Sequence, residues 1–143
     1  MVAGHVRIED GADIGGGAGI HHFAPIGACS FVGGLARITK DVPPYMIVEG
    51  NPAEVRAINT LAMTRRGFPP EHIDAMKDAF KRLFRQNGAA ISEKLGELLS
   101  DYPEIPAIHK LCNALAAAAE GVHGRALENF RHDNKRLDPR RTA

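Results

Sequence analysis

The stretch IEDGADIGGGAGIHHFAPIGACSFVGGLARI, residues 8–38, decides the fold. Set in sixes, it places Ile8, Ile14, Ile20, Ile26, Val32 and Ile38 at one position of every hexad, and Val2 extends the series backward. Four residues after Ile8, Ile14, Ile20, Ile26 and Val32 stand Ala12, Ala18, Ala24, Ser30 and Ala36. Neither the 3.6-residue period of a helix nor the alternation of an ordinary strand locks a large and a small residue together at six. Such a period describes a stack of coils, in which each unit buries its apolar face only against the next.

Each hexad reads as a short strand and a corner. The aliphatic side chain fills the interior and stacks on its counterpart one coil away, at about 4.8 Å. The small residue is expected where the chain turns. Each buried Ile or Val contributes roughly 1.5–3 kcal/mol, provided another coil covers it. The pattern resembles the hexapeptide repeat of left-handed parallel β-helices, which take three hexads per coil. Seven aliphatic positions then make little more than two coils, a stub that reads as cut on its N-terminal side. Pro43-Pro44 in Asp41-Val42-Pro43-Pro44-Tyr45 is expected to stop the coil, because proline lacks a ladder donor. Met46-Ile47-Val48 reads as a last strand and Glu49-Gly50-Asn51-Pro52 as a turn.

Beyond the coils the period becomes helical. Ile73, Met76, Phe80, Leu83 and Phe84 form one stripe between Pro69-Pro70 and Asn87-Gly88. Ser92–Ser100 is a second predicted helix with Ser92 as its cap, and about Pro103–Glu120 a third, stopped by Gly121. The predicted organisation is 1–58 coils and terminating strand, 59–124 a three-helix domain, and 125–143 a basic tail, frayed or disordered. The class is mainly β plus α, a left-handed parallel β-helix stub followed by a small helical C-terminal domain.

Composition removes several alternatives. At 143 residues, 44% apolar and a net charge of +1, wholesale disorder and nucleic-acid binding are excluded as expectations. Cys29 and Cys112 read as small core residues in a reduced, cytoplasmic setting, and no leader peptide is expected. Residues 14–36 carry no charged side chain, yet seven glycines with His21, His22 and Pro25 argue against a membrane helix.

Thr39–Tyr45 followed by Gly50-Asn51-Pro52-Ala53 resembles the C-terminal end of many hexapeptide acyltransferases. Ala3-Gly4-His5-Val6, Ile20-His21-His22-Phe23, Asn59, Arg65-Arg66-Gly67-Phe68 and Tyr102-Pro103-Glu104 make the match sharper. Together they resemble the UDP-N-acetylglucosamine O-acyltransferases that begin lipid A synthesis. That resemblance implies a homotrimer with UDP-N-acetylglucosamine and acyl carrier protein as partners, and neither a cofactor nor a metal. It implies that a histidine general base deprotonates the sugar 3-hydroxyl, which attacks the carrier thioester while a backbone N–H steadies the oxyanion. It gives that N–H to Gly4, the sugar site to His5 and His21, a further substrate-binding position to His22, the nucleotide to Asn59, Arg65 and Arg66, and the acyl-length ruler to Gly34.

The sequence departs from the family at His22, where Gln is expected, and at Leu61, where an acidic residue is expected. The general base belongs about eighteen residues before His5, one coil's length. Only four residues precede His5 here, so this chain is expected to lack the base and to be inactive alone. The alternative is a non-catalytic trimeric module that binds a sugar nucleotide or acyl carrier protein. Three histidines meeting across a trimer could also hold zinc, but nothing else in the sequence asks for a metal. Lys77, Lys81 and Arg85 share a helical face that could receive an acidic carrier, with Asp74 and Asp78 as competing i,i+4 partners. His72, His109, His123 and His132 read as solvated.

Overall fold

A six-residue repeat leaves two residues for each strand once its corner is made. The computed structural model, which describes residues 1–121 and 123–130, contains six such strands: β1 Arg7–Ile8, β2 Asp13–Ile14, β3 Gly19–Ile20, β4 Pro25–Ile26, β5 Phe31–Val32 and β6 Arg37–Ile38. They pair in parallel as β1 with β4, β2 with β5 and β3 with β6, each in a register of eighteen residues, such as Ile8 on Ile26 and Ile20 on Ile38. Three narrow sheets therefore form the faces of a prism. Ile20, Ile26, Val32 and Ile38 stack inside it with Ala18, Ala24 and Ala36, all at most 3% exposed. Val2 and Ile8, in the first coil, remain about half exposed.

The corners differ from the expectation in one respect. Ala12, Ala18, Ala24, Ser30 and Ala36 each donate an N–H to the carbonyl three residues earlier, which closes a β-turn. The left-handed backbone falls one residue before them, on Gly11, Gly17, Phe23, Cys29 and Leu35, with φ from 54° to 74°. Positive φ at the third turn position is the type II pattern. The small residue is small because it points into the prism; the turn itself is made by its neighbour.

Pro43-Pro44 does not stop the coil. The aliphatic series slips by two: Val42 pairs with Ile26, and Phe31 and Val32 of β5 pair in parallel with Ile47 and Val48 of β7, Met46–Gly50. Both registers are sixteen residues, and Val42 and Val48 join the same core. Pro44 packs so tightly on Gly27 that a Cβ there would collide with the proline backbone. The sheet ends in an unforeseen antiparallel strand β8, Ala53–Ile58, that turns back along β7.

The helical unit has four helices where three are predicted: α1 Thr60–Arg65, α2 Pro70–Phe80, α3 Ile91–Asp101 and α4 Pro106–Glu120. Met63, Met76, Leu98, Ile108 and Leu111 are fully buried in its core. Ser92 is not the cap of α3, which begins after Ala90 without a side-chain cap bond. The third predicted helix starts at Pro106 rather than Pro103, and Gly121 ends it in the left-handed conformation. A π-helical turn, Lys81–Arg85, extends α2. Arg85 donates to the carbonyl of Arg56 at 2.9 Å and lies over the Phe80 ring. Asp74 and Asp78 take Lys77 and Arg82 as partners. A 3-10 helix, Gly124–Phe130, packs on α4 and the coils, so residues 125–130 of the expected tail belong to the packed body. Residues 131–143, including His132, lie outside the described residues.

Candidate functional site

The turn from β3 to β4 holds His21, His22 and Phe23, and Gly4 and His5 occupy the equivalent positions one coil away. The Phe23 N–H ties the two turns together by donating to the Gly4 carbonyl at 3.1 Å, and the His21 N–H ties its turn to the following coil by donating to the Ile38 carbonyl at 3.1 Å. His5 and Phe23 both have left-handed backbones, φ 60° and 64°, and their rings lie parallel with centroids 4.8 Å apart. For a phenylalanine that conformation costs on the order of 1–3 kcal/mol and persists only where its surroundings over-determine it. Here the turn and the coil-to-coil bonds do so, and the result is an aromatic wall fixed at the corner. Phe23 escaped the sequence reading, although its place eighteen residues after His5 carries the signal.

The Gly4 N–H, expected as an open oxyanion donor, is closed by His22, whose Nδ1 accepts it at 3.2 Å. A neutral His22 must then carry its proton on Nε2. His21 is partly buried, and burial is the main influence lowering its pKa from 6.5. Arg125, Arg37 and His22 act in the same direction, and Glu128 opposes them. At neutral pH it is an uncharged imidazole, able to accept a hydrogen bond from a hydroxyl.

The next corner, at Glu9–Ala12 and Gly27–Ser30, receives the helical unit. Asn59 is buried there at 8% exposure: its Nδ2 donates to the Cys29 carbonyl at 3.0 Å, and its Oδ1 caps α1 by accepting the Ala62 N–H at 3.2 Å. Both ends of the amide are occupied, so Asn59 fastens α1 to the coil where a nucleotide contact is expected. Arg65 and Arg66 close α1 and are exposed, with the Arg66 guanidinium lying over Gly11. Gly34 lies on the third corner, exposed beside the 80% exposed Leu35; a Cβ at Gly34 would meet only the Gly16 carbonyl, at 3.4 Å.

The structure thus gathers Gly4, His5, His21 and His22 on one corner but leaves Arg65 and Arg66 on the second and Gly34 on the third. One chain alone does not bring the three groups together. Beside His5 a groove of about 670 Å³ runs between the β1–β4 sheet and α4, bordered by Phe23, Asp41, Lys110 and His123. Among the described residues no group of three or more His, Cys, Asp or Glu side chains could hold a metal ion, and no helix is long and apolar enough to cross a membrane. His109 Nε2 lies 2.8 Å from the Pro103 carbonyl.

A prism of hexads with one histidine-bearing corner, closed by a hairpin and a helical unit, defines a hexapeptide-repeat protein with a helical cap. Residues 41–123 match the family model described as UDP-N-acetylglucosamine O-acyltransferase, domain 2, and the chain belongs to that family. It is 40% identical over 124 residues to the acyl-(acyl-carrier-protein):UDP-N-acetylglucosamine O-acyltransferase of Verminephrobacter eiseniae, covering 85% of this chain and 47% of that protein. The solved UDP-N-acetylglucosamine O-acyltransferase of Moraxella catarrhalis superposes with a TM-score of 0.76 at 36% identity, over 82% of this chain and 45% of the other. That of Arabidopsis gives 0.72 at 30% identity, over 79% and 41%. The chain spans about half the length of the relatives it matches.

Proposed function

We propose that residues 1–143 are the carboxyl-terminal portion of a UDP-N-acetylglucosamine O-acyltransferase of lipid A synthesis, which moves a 3-hydroxyacyl group from acyl carrier protein to the sugar 3-hydroxyl. The observation that carries this reading is the continuity of the Gly4–His5–His21–His22 corner with the family's domain 2. In the reaction a general base takes the proton of the sugar 3-hydroxyl as its oxygen attacks the thioester carbonyl, the tetrahedral oxyanion collapses, and the carrier thiolate leaves and takes up that proton. His21 and His5 receive the sugar at the corner, His21 as a neutral acceptor. The Gly4 N–H meets the oxyanion once His22 swings away. Arg65 and Arg66 face the diphosphate, for which guanidinium forks are suited, and Asn59 positions them through α1. Gly34 leaves room along the third corner for a longer acyl chain.

This assignment requires a homotrimer with left-handed coils, because only neighbouring copies can bring the three corners together. Domains at 1–58 and from 59 through the packed segment Gly124–Phe130 complete the proposal, as does a cytoplasmic setting suited to the unlinked thiols Cys29 and Cys112. None of the corner residues stands where the resemblance puts the general base, whose contribution is typically about 10²–10⁴-fold. The chain as given therefore binds UDP-N-acetylglucosamine without transferring acyl groups to it. With Leu61 exposed in place of an acidic residue, the expected Kd is high-micromolar to millimolar, order of magnitude only. Ligand-observed NMR on the folded chain tests this. Saturable binding with no turnover supports the reading, and no saturable binding ends it.

A further inference from the structure

Three left-handed residues follow one another, coil by coil, at the corner that receives α1: Gly11, Cys29 and Tyr45, with φ 72°, 54° and 65°. The Cys29 N–H donates to the Asp10 carbonyl at 3.0 Å and the Tyr45 N–H to that of Ala28 at 2.8 Å, so each turn is tied to the one before it. The first helix runs along this series. At its start the Asn59 N–H donates to the Tyr45 carbonyl at 2.7 Å and its Nδ2 to the Cys29 carbonyl at 3.0 Å, and at its end Arg66 reaches Gly11. A Cβ on Gly11 would stand 2.6 Å from Arg66 Nε and closer still to Cζ and Nη2; the three atoms nearest to it all belong to that guanidinium. The backbone conformation does not itself call for glycine, because His5, Phe23, Cys29, Leu35 and Tyr45 hold it with side chains. What a side chain at position 11 would displace is Arg66.

We propose that Gly11 is a positioning residue: where the following coils carry Cys29 and Tyr45, its bare backbone seats the Arg66 guanidinium and fixes that arginine at the corner before any anion arrives. A planar guanidinium laid against the backbone has already given up much of its rotamer freedom, so less is lost when it forms hydrogen bonds to an anion. Arg66 is exposed overall, which leaves it open to such a partner. The seat also separates the two neighbouring arginines, since Gly11 takes Arg66 and not Arg65. That the anion is the diphosphate of a sugar nucleotide rests on the function proposed above; the seating of Arg66 does not.

The test follows the Arg66 Nε–H signal by heteronuclear NMR in the full chain without ligand, assigned by its loss in Arg66→Lys. Gly11→Asn, a residue type that accepts the left-handed backbone but brings a Cβ, moves the signal to the position of a free arginine, and Gly11→Ala does the same. Gly17→Asn makes the same change at the left-handed glycine of another corner, φ 74°, where a Cβ meets the end of the exposed Leu35 side chain, and leaves the signal in place. An unmoved signal in Gly11→Asn, or one moved equally by Gly17→Asn, overturns the proposal. Loss of a cooperative melting transition in both Gly11 variants also overturns it, because the turn itself then requires glycine. A second arm titrates UDP-N-acetylglucosamine. Gly11→Asn weakens binding about tenfold, as Arg66→Ala does, and the double variant binds no more weakly than Arg66→Ala alone. Additive losses, or unchanged binding in Gly11→Asn, contradict a role exerted through Arg66. A moved signal with no binding by the parent leaves the seat standing and defeats the function proposed above.

Discussion

The coils and the helical unit keep their cores by opposite means. In the coils, small and aliphatic residues fill a narrow prism in single file, and nearly every inward position is set by the count of six from its neighbour. In the helical unit a broad cluster gathers Met63, Met76, Leu98, Ile108 and Leu111 from four helices, and their positions follow from how those helices lean on one another. The coil is therefore rigid by repetition and displays side chains at its corners, while the helical unit is shaped by packing and holds Arg65 and Arg66 out from a short capped helix. The difference assigns roles: the His5, His21 and His22 imidazoles and the Gly4 amide sit on the regular element, and Arg65 and Arg66 sit on the adaptable one.

The largest expected effect breaks the coil. Ile26→Asp places an unpaired carboxylate at a fully buried position, costs several kcal/mol, and leaves no cooperative thermal transition by circular dichroism. Met76→Ala removes a fully buried side chain from the other core and lowers stability by about 2–5 kcal/mol. Hydrogen exchange then shows the loss first in the helical amides, with those of β4 and β5 still protected. Arg65→Ala sharpens the functional side of the contrast: loss of a charge-assisted contact worth about 1.5–3 kcal/mol weakens UDP-N-acetylglucosamine at least tenfold, without a change in melting temperature. Asn59→Ala shows the smallest effect, about 0.5–2 kcal/mol for the lost cap, read as a lower melting temperature together with weaker nucleotide binding.

Legibility follows the same division. The repeat exposed the prism interior because six residues per face is a geometric constraint that no tertiary contact overrides. It failed where that constraint relaxes, between Ile38 and Val42, since a four-residue step through two prolines looks like a stop until Ile26 is seen across from Val42. The corner histidines were legible from motif and period together, but the closure of the Gly4 amide by His22 was not, because it depends on a rotamer. Asn59 was legible as a polar residue before a short apolar run and was read as a ligand contact; the cap signal of Asn before Thr60–Arg65 was there to be used. The π-helical turn and the seating of Gly124 and Arg125 on Asp41 leave no local pattern, since both depend on contacts with distant segments.

The proposed site forms between copies of the chain, His21 from one and Arg65 from the next. Mixed refolding of His21→Ala and Arg65→Ala chains tests it most directly, with UDP-N-acetylglucosamine binding followed by calorimetry. Neither variant alone holds an intact site, but random trimers of the two restore about a quarter of the interfaces. Recovery of saturable binding at near that fraction is the predicted result. If the mixture binds no better than its two components while the parent chain binds, the residues act within one chain and the claim is contradicted.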